Sequence, residues 1–294
     1  MARAHARIAA MIDAYLEGED WDEAPPAMDL EEDYGGILAS LSEAVLRLRQ
    51  GAAGARAEEL ALRVLFRAPA LVNVILNYKI CAEHGLPLHP TVYFELAEAR
   101  RYRLPYPIGE LERANRLYRS SIELARAACR LDADLPASLG AFRAALPPEI
   151  LSFVYTSARD KYTWRATEPS ILRRLAAAVS REGKPGLIVA AAHGSIMPAL
   201  IFAELLGSPL YFVRFSMFKR HDEEPILSIA DEAWLAQWSS GYALLFDEDV
   251  AKGETLSRFS ARLGPLFGSS KTAASIRHAG ASIRPDFVGK TWYD

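Results

Sequence analysis

Two hydrophobic rhythms divide the chain. Up to about residue 150 apolar residues recur at the three-to-four spacing of amphipathic helices. A first stripe is Ala9, Ile12 and Leu16, followed by an acid-rich break at 17–26 that ends in Pro25-Pro26. Ile37, Leu38, Leu41, Val45 and Leu48 form the next stripe, punctuated by Gly51 and Gly54. The apolar stretch 59–84 contains Pro69, which predicts two helices or one kinked helix. Pro90 suits a helix first turn leading into Tyr93, Phe94, Leu96 and Ala97, and a further helix is predicted over 108–130.

After Leu146-Pro-Pro148 the rhythm changes. An amphipathic helix over 170–180 is followed by the turn Gly183-Lys-Pro-Gly186. Short apolar runs then alternate with helical stretches: strand 187–191, helix 196–206, strand 210–214, a long polar connection from Ser216 with a short helix over 227–238, strand 242–246, helix 254–267, and strands near 272–276 and 282–284. Such alternation predicts an α/β parallel sheet with right-handed crossovers and binding at the carboxyl ends of its strands. The expected organisation is an all-α domain over 1–150 and an α/β domain over 151–294.

Composition narrows the function classes. A chain of 294 residues can bury two cores. Its net charge of −3 and pI near 6.1 argue against a general nucleic-acid or membrane-surface binder. Cys81 and Cys129 sit in no metal-ligand or CxxC spacing and read as reduced core thiols. The apolar segment 68–80 is too short to span a bilayer and the amino terminus lacks a signal-peptide run, so a cytoplasmic location is expected. Arg100, Arg101, Arg103, Arg113, Arg116 and Arg119 could hold phosphate or RNA, but with Glu95, Glu98, Glu110 and Glu112 close by they read as a solvated helix face. His84 and His89 flank a Gly-Leu-Pro turn without metal-pair spacing.

The richest chemistry lies in Tyr242-Ala-Leu-Leu-Phe-Asp-Glu-Asp-Val-Ala-Lys-Gly-Glu-Thr-Leu256. Acids after an apolar strand can accept hydrogen bonds from sugar hydroxyls. The N–H groups of the turn and of the following helix start can hold a phosphate. In Asp247-Glu248-Asp249-Val250-Ala251-Lys252-Gly253-Glu254-Thr255 an acid pair is followed after three residues by Lys-Gly-x-Thr. This resembles the phosphoribosyl pyrophosphate (PRPP) loop of type I phosphoribosyltransferases, acid-acid-x-x-x-Thr-Gly-x-Thr. It matches at Asp247, Glu248, Gly253 and Thr255 and departs at Lys252. A plain strand-to-helix turn is the competing reading. A haloacid-dehalogenase reading of Asp247-Glu248-Asp249 fails, because only 45 residues remain for that family's downstream lysine and acids.

The resemblance implies three further parts. Ala192-His193-Gly194-Ser195 stands at the pyrophosphate loop, where the family often carries a non-proline cis peptide and where His193 and Ser195 replace a usual cation and glycine. Arg214 matches a strand-end cation that contacts pyrophosphate, and Lys219, Arg220 and His221 would lie in a mobile hood. Arg284-Pro-Asp-Phe-Val-Gly289 is similar to the Lys-Pro-Asp-Phe-Val-Gly of hypoxanthine-guanine phosphoribosyltransferases, making Arg277 a candidate base reader and Phe287 or Trp292 its stacking partner. The likeness covers roughly 160–294.

What it implies is transfer of ribose 5-phosphate from PRPP to a small nitrogenous acceptor with release of pyrophosphate. Asp247, Glu248 and Arg214 would be catalytic, and Ala251, Lys252, Gly253, Glu254 and Thr255 would hold the 5′-phosphate, with His193, Gly194 and Ser195 on the pyrophosphate. Mg²⁺ would be held through substrate oxygens, with Asp247 the one protein ligand in prospect. Nucleic-acid and membrane partners are not expected, and a homodimer is compatible with the family. The departures at His193 and Lys252 motivate one alternative, a PRPP- or nucleotide-binding regulator without turnover, and a second is an interaction protein whose α/β domain is only a scaffold for the helical half.

Overall fold

The computed structural model describes residues 16, 18–217, 220–238 and 241–293. They fall into two compact units. One holds Pro25–Arg159, and the other holds the short segment Asp20–Ala24 together with the chain from Asp160 onward.

In the first unit, helix α1 (Tyr34–Arg49) starts at an Asp33 N-cap whose carboxylate accepts from the Gly36 N–H at 2.8 Å. Helices α1 and α4 (Ile108–Cys129) both pack along α2 (Ala55–His84). α2 is a single helix with a buried Pro69 inside it. Between α2 and α4 the buried Lys79 Nζ donates to Glu83 at 2.6 Å, and Asn115 donates to the same carboxylate at 2.8 Å. The helix expected after Pro90 does not form. The Thr91 and Val92 N–H groups turn back onto His89 Nδ1, and only the short α3 (Ala99–Tyr102) follows. α4 ends within a residue of its predicted limit and leads to α5 (Leu135–Ala145).

Strand β1 (Leu30–Asp33) pairs antiparallel with β2 (Val154–Ser157). This pairing carries the first unit past residue 150, to Arg159. Arg113 pairs with Glu110 and Arg116 with Glu112, as a solvated helix face should. Cys81 and Cys129 are separate buried thiols. Among the described residues no helix is long and apolar enough to cross a membrane.

The second unit begins with α6 (Lys161–Ala166), whose N-cap Asp160 accepts from the Tyr162 and Thr163 N–H groups, and α7 (Pro169–Glu182). The alternation then runs β3 (Leu187–Ala192), α8 (Ile196–Leu206), β4 (Leu210–Arg214), α9 (Ile229–Leu235), β5 (Ala243–Val250), α10 (Glu254–Leu263), β6 (Ser270–His278) and β7 (Phe287–Trp292). The strands form one five-stranded sheet in the order β4-β3-β5-β6-β7, parallel at every pairing. The second unit is therefore the expected α/β parallel sheet, and the amino-terminal part of the chain is mostly helical.

From β3 the chain steps outward to β4, then returns past β3 and proceeds the other way through β5, β6 and β7. Right-handed crossovers consequently put α8 and α10 on opposite faces. The order reverses between β3 and β5, and their carboxyl ends part there to leave a crevice where open α/β sheets bind ligands.

Several boundaries differ from expectation, α10 stopping at Leu263 and β6 running over Ser270–His278 among them, and two bear on the site. β5 runs on through Asp247, Glu248 and Asp249, because Asp247 and Asp249 keep their ladder places opposite Ala274 and Ile276. The strand expected over 282–284 is a loop, and the last strand begins at Phe287.

Candidate functional site

The loops after β3 and β5 meet across the crevice at the strand-order reversal. On the β3 side the Ala192–His193 peptide is cis, the feature the family resemblance implied for this loop. Gly194 follows, and a Cβ there would fall 1.8 Å from Glu248 Oε1, so the absence of a side chain is what lets the carboxylate lie on the loop. Fully buried Ser195 then ties the two loops together. Its hydroxyl donates to Glu248 Oε2 at 2.5 Å, accepts from the Glu248 N–H at 3.1 Å and stands 3.3 Å from Asp247 Oδ1.

One hydroxyl hydrogen cannot serve both acids. A proton on Asp247 would satisfy the longer contact, and the electrostatics favour one. Burial pushes the Asp247 carboxyl well above the usual carboxylate range, and the charge of Glu248 beside it adds to the effect. Asp249, two residues on, is raised to about 6 by burial, against the stabilising pull of His278, whose Nε2 lies 3.1 Å away. Three acids crowd one strand end, and each gains from a cation or a hydrogen-bond donor arriving from outside.

Beyond the acids the chain turns through Ala251 and Lys252, both exposed, to Gly253 at φ +95°. That left-handed conformation suits glycine, and a Cβ would also meet Ile283 Cγ2 at 2.3 Å. Gly253 is the N-cap of α10 and offers no side-chain cap, so the first-turn N–H groups of Glu254 and Thr255 point to the turn without an internal acceptor. The Lys252 carbonyl is held from the other side by the Ser282 N–H at 3.0 Å and hydroxyl at 2.8 Å. Thr255 Oγ1 contacts Met217 Sδ at 3.7 Å. A small-residue turn, a helix start with open donors and an acid pair thus lie consecutively along one chain segment.

Other expected site residues are placed differently. Arg214 ends β4 and engages an acid: its Nη2 lies 3.2 Å from Asp222 Oδ1, both side chains are almost fully buried, and the Ser216 N–H donates to the other Asp222 oxygen at 2.9 Å. The hood residue Lys219 lies outside the described residues. Arg220 and Asp222 both donate backbone N–H groups to the Ser216 carbonyl, and exposed His221 has a left-handed φ of 52°. The segment then folds back on the sheet edge. Ile226 bridges to Arg214, Tyr211 donates to Asp231, and the Trp234 ring stacks on Tyr211 at 4.4 Å.

Arg277 contacts main-chain carbonyls. Its guanidinium donates to the carbonyls of Ile283 at 3.1 Å, Ala281 at 2.9 Å and Ala279 at 3.4 Å, clamping the loop before β7. Phe287 opens β7 and therefore lies about 16 Å along the strand from its carboxyl end. The stacking role fails for Phe287 on distance, whereas Trp292 sits at the correct end.

Trp292 in fact lines a cavity of about 240 Å³ with Lys161, Tyr162, Arg165, Asp249, Ile276 and His278. None of these except Trp292 was singled out from the sequence as a base contact. Residues 161–166 carry one local signal, the Asp160 N-cap of a short helix, and nothing in it announces a binding wall.

Among the described residues no group of three or more His, Cys, Asp or Glu side chains could hold a metal ion. A metal carried by substrate oxygens, with one acid of the Asp247–Glu248 pair in support, fits this donor set. A protein-built metal cage does not.

No protein-family model matches the chain. No curated protein matches it. Solved structures do. A purine phosphoribosyltransferase from Pyrococcus horikoshii is 24% identical, with 42% of this chain and 80% of that one covered at a TM-score of 0.35. A hypothetical protein from Neisseria gonorrhoeae with bound ppGpp is 17% identical over 44% and 79%, at 0.37. A hypoxanthine phosphoribosyltransferase from Staphylococcus aureus is 19% identical over 42% and 72%, at 0.33.

Proposed function

We propose that the second unit transfers the ribose 5-phosphate group of PRPP to a nitrogenous acceptor with release of pyrophosphate. The observation that carries this reading is the junction of the two loops at the strand-order reversal: Ser195 joined to Asp247 and Glu248, with the start of α10 following at Glu254 without a side-chain cap. An acid pair spaced this way from a donor-lined turn suits a phosphorylated sugar, whose two hydroxyls need acceptors while its phosphate needs N–H groups.

In this reading Asp247 and Glu248 take the ribose hydroxyls and stabilise the positive charge that develops on the ring as the glycosidic bond breaks. Ala251, Lys252, Gly253, Glu254 and Thr255 hold the 5′-phosphate, and the loop His193-Gly194-Ser195 faces the pyrophosphate. Mg²⁺, when bound, offsets the charge of the leaving pyrophosphate. Lys252 supplies a cation in the phosphate turn, and the pyrophosphate reaches the Gly194 backbone once the Glu248 carboxylate that lies on it swings towards the ribose.

The test is calorimetric titration of the full chain with PRPP and Mg²⁺, followed by pyrophosphate release against a panel of nitrogenous bases. Binding with acceptor-dependent release supports the transferase. Binding without release would favour a PRPP-binding regulator, a reading with its own support in the engagement of Arg214 by Asp222. No binding overturns both.

A further inference from the structure

The cavity that ends in Trp292 differs in character from the phosphate turn. Its walls are two rings, Tyr162 from α6 and Trp292 from β7, with the apolar Ile276 between strands. At about 240 Å³ it lies below the roughly 300–1,000 Å³ of pockets that take drug-sized ligands, so its size suits a single small ring system. Asp249 joins it to the acid pair, because that residue follows Asp247 and Glu248 on the same strand. A molecule seated here would lie beside the sugar bound at those acids.

The charges on the wall are unbalanced. Lys161, Arg165 and His278 face one acid, Asp249. His278 pairs with Asp249 at 3.1 Å, and Arg165 Nε pairs with Asp22 at 3.0 Å while its guanidinium covers the Trp292 ring at 4.7 Å. The neighbouring Asp160 carboxylate is spent on the N-cap of α6. Lys161 is left over. It has no carboxylate partner among the described residues, and its Nζ rests 5.2 Å from the centre of the Tyr162 ring. Lys290 Nζ adds a further positive charge 4.9 Å from the Trp292 ring. A neutral base would leave these cations resting on rings, whereas an anionic one would give Lys161 an ion pair inside a partly enclosed site.

We infer that the cavity is the acceptor site and that it takes a flat, nitrogen-containing ring bearing a carboxylate, with the ring against the wall that Tyr162 and Trp292 share with Ile276 and the carboxylate on Lys161. The Asp249–His278 pair then meets the ring nitrogen. This rests on the phosphoribosyl-transfer reading for its role, though not for the binding itself.

The experiment compares rings that differ only in charge: pyridine-3-carboxylate against pyridine-3-carboxamide, and uracil-6-carboxylate against uracil, with hypoxanthine as an uncharged bicyclic ring. Each is titrated into the full chain, first alone and then with PRPP and Mg²⁺. At least one carboxylate is expected to bind tenfold or more tightly than its neutral counterpart. Lys161→Met should abolish that preference and Lys161→Arg should restore it, and because the residue is exposed both variants should keep the fold. Equal or tighter binding of the neutral rings, a preference that survives Lys161→Met, or no ring binding under either condition would overturn the inference. Pyrophosphate release with hypoxanthine alone would uphold the transferase and sink the anionic acceptor. Lys161-dependent carboxylate binding without any PRPP binding would uphold the site and sink the transferase.

Discussion

Removing the Asp222 carboxylate should be the most damaging single change in the second unit. The Arg214 and Asp222 side chains are 1% and 4% exposed with their charged atoms 3.2 Å apart. At an effective dielectric constant near 20, that separation corresponds to an attraction of about 5 kcal/mol. Asp222→Ala deletes it, leaves the guanidinium buried without its counter-charge and strips the Ser216 N–H of its acceptor. The expected loss is about 4 kcal/mol, within the roughly 3–5 kcal/mol typical of breaking a buried pair from one side. A domain of total stability about 5–15 kcal/mol would feel this severely.

The double variant Arg214→Met with Asp222→Leu removes both charges and should recover most of the loss, since a buried pair is roughly neutral against apolar residues of similar volume. Urea unfolding followed by tryptophan fluorescence reads this unit alone, because all five tryptophans, residues 21, 164, 234, 238 and 292, belong to it. A cost below about 1 kcal/mol for Asp222→Ala, with no recovery in the double variant, would refute the reasoning. It would also return Arg214 to the list of pyrophosphate contacts.

The remaining expectations concern the crevice. Gly194→Ala puts a methyl where the Glu248 carboxylate lies, 1.8 Å from Oε1. That flexible carboxylate can swing aside, so stability should change by less than about 1 kcal/mol while calorimetry shows PRPP affinity falling about tenfold or more. Gly253→Ala combines a left-handed backbone with a 2.3 Å contact to Ile283, and should cost about 2 kcal/mol in chemical denaturation besides weakening phosphate binding. The double variant Asp247→Ala with Glu248→Ala should lose turnover with circular dichroism unchanged, and near-normal activity would rule out the mechanism.

Protonation should also matter. The raised carboxyls of Asp247 and Asp249 bind protons more tightly folded than unfolded, so each contributes stability that is present in full below its unfolded pKa of about 4 and is lost as pH rises through its folded value, about 6 for Asp249. For Asp249 the fall amounts to about 2–3 kcal/mol. Melting temperatures between pH 5 and 7.5 check this, and Asp249→Asn should flatten the profile.

The sheet was readable where residue character changes sharply. α8 and β4 have their predicted limits, and β3 exceeds its limit by one residue, because these mostly apolar stretches are set off by Gly186, Gly194 and Gly207-Ser-Pro209. β5 was cut short because acids end the apolar run, although hydrogen-bond pairing carries the strand on beside β6. A periodicity of side chains cannot report a ladder held by main-chain groups. That the acid pair, the glycines and Ser195 would stand at strand ends and turns was legible, because each spacing lies within one chain segment, whereas the hydrogen bonds joining Ser195 to the acids were not. The contacts of Arg214 and Arg277 were not legible, because an arginine at a strand end looks the same in sequence whether it meets a ligand, a buried aspartate or three carbonyls. The cavity wall of Lys161, Tyr162 and Arg165 was invisible for the opposite reason, since it is assembled from residues more than a hundred positions away from Trp292.

The five-residue segment Asp20–Ala24 has a consequence for anyone dividing the chain. Trp21 stacks on fully buried Trp164 at 4.2 Å, the Trp164 indole N–H donates to the Asp20 carbonyl at 2.9 Å, and Asp22 meets Arg165. A single cut near residue 160 would therefore give a carboxyl-terminal fragment with an open seam over Trp164, prone to aggregate. During synthesis the same strap leaves the ribosome early yet waits for some 140 further residues before its partner emerges. Its docking closes a long loop and should come among the last events of folding. Fragments meant to keep the site will need residues 20–24 supplied in trans or rejoined by a linker.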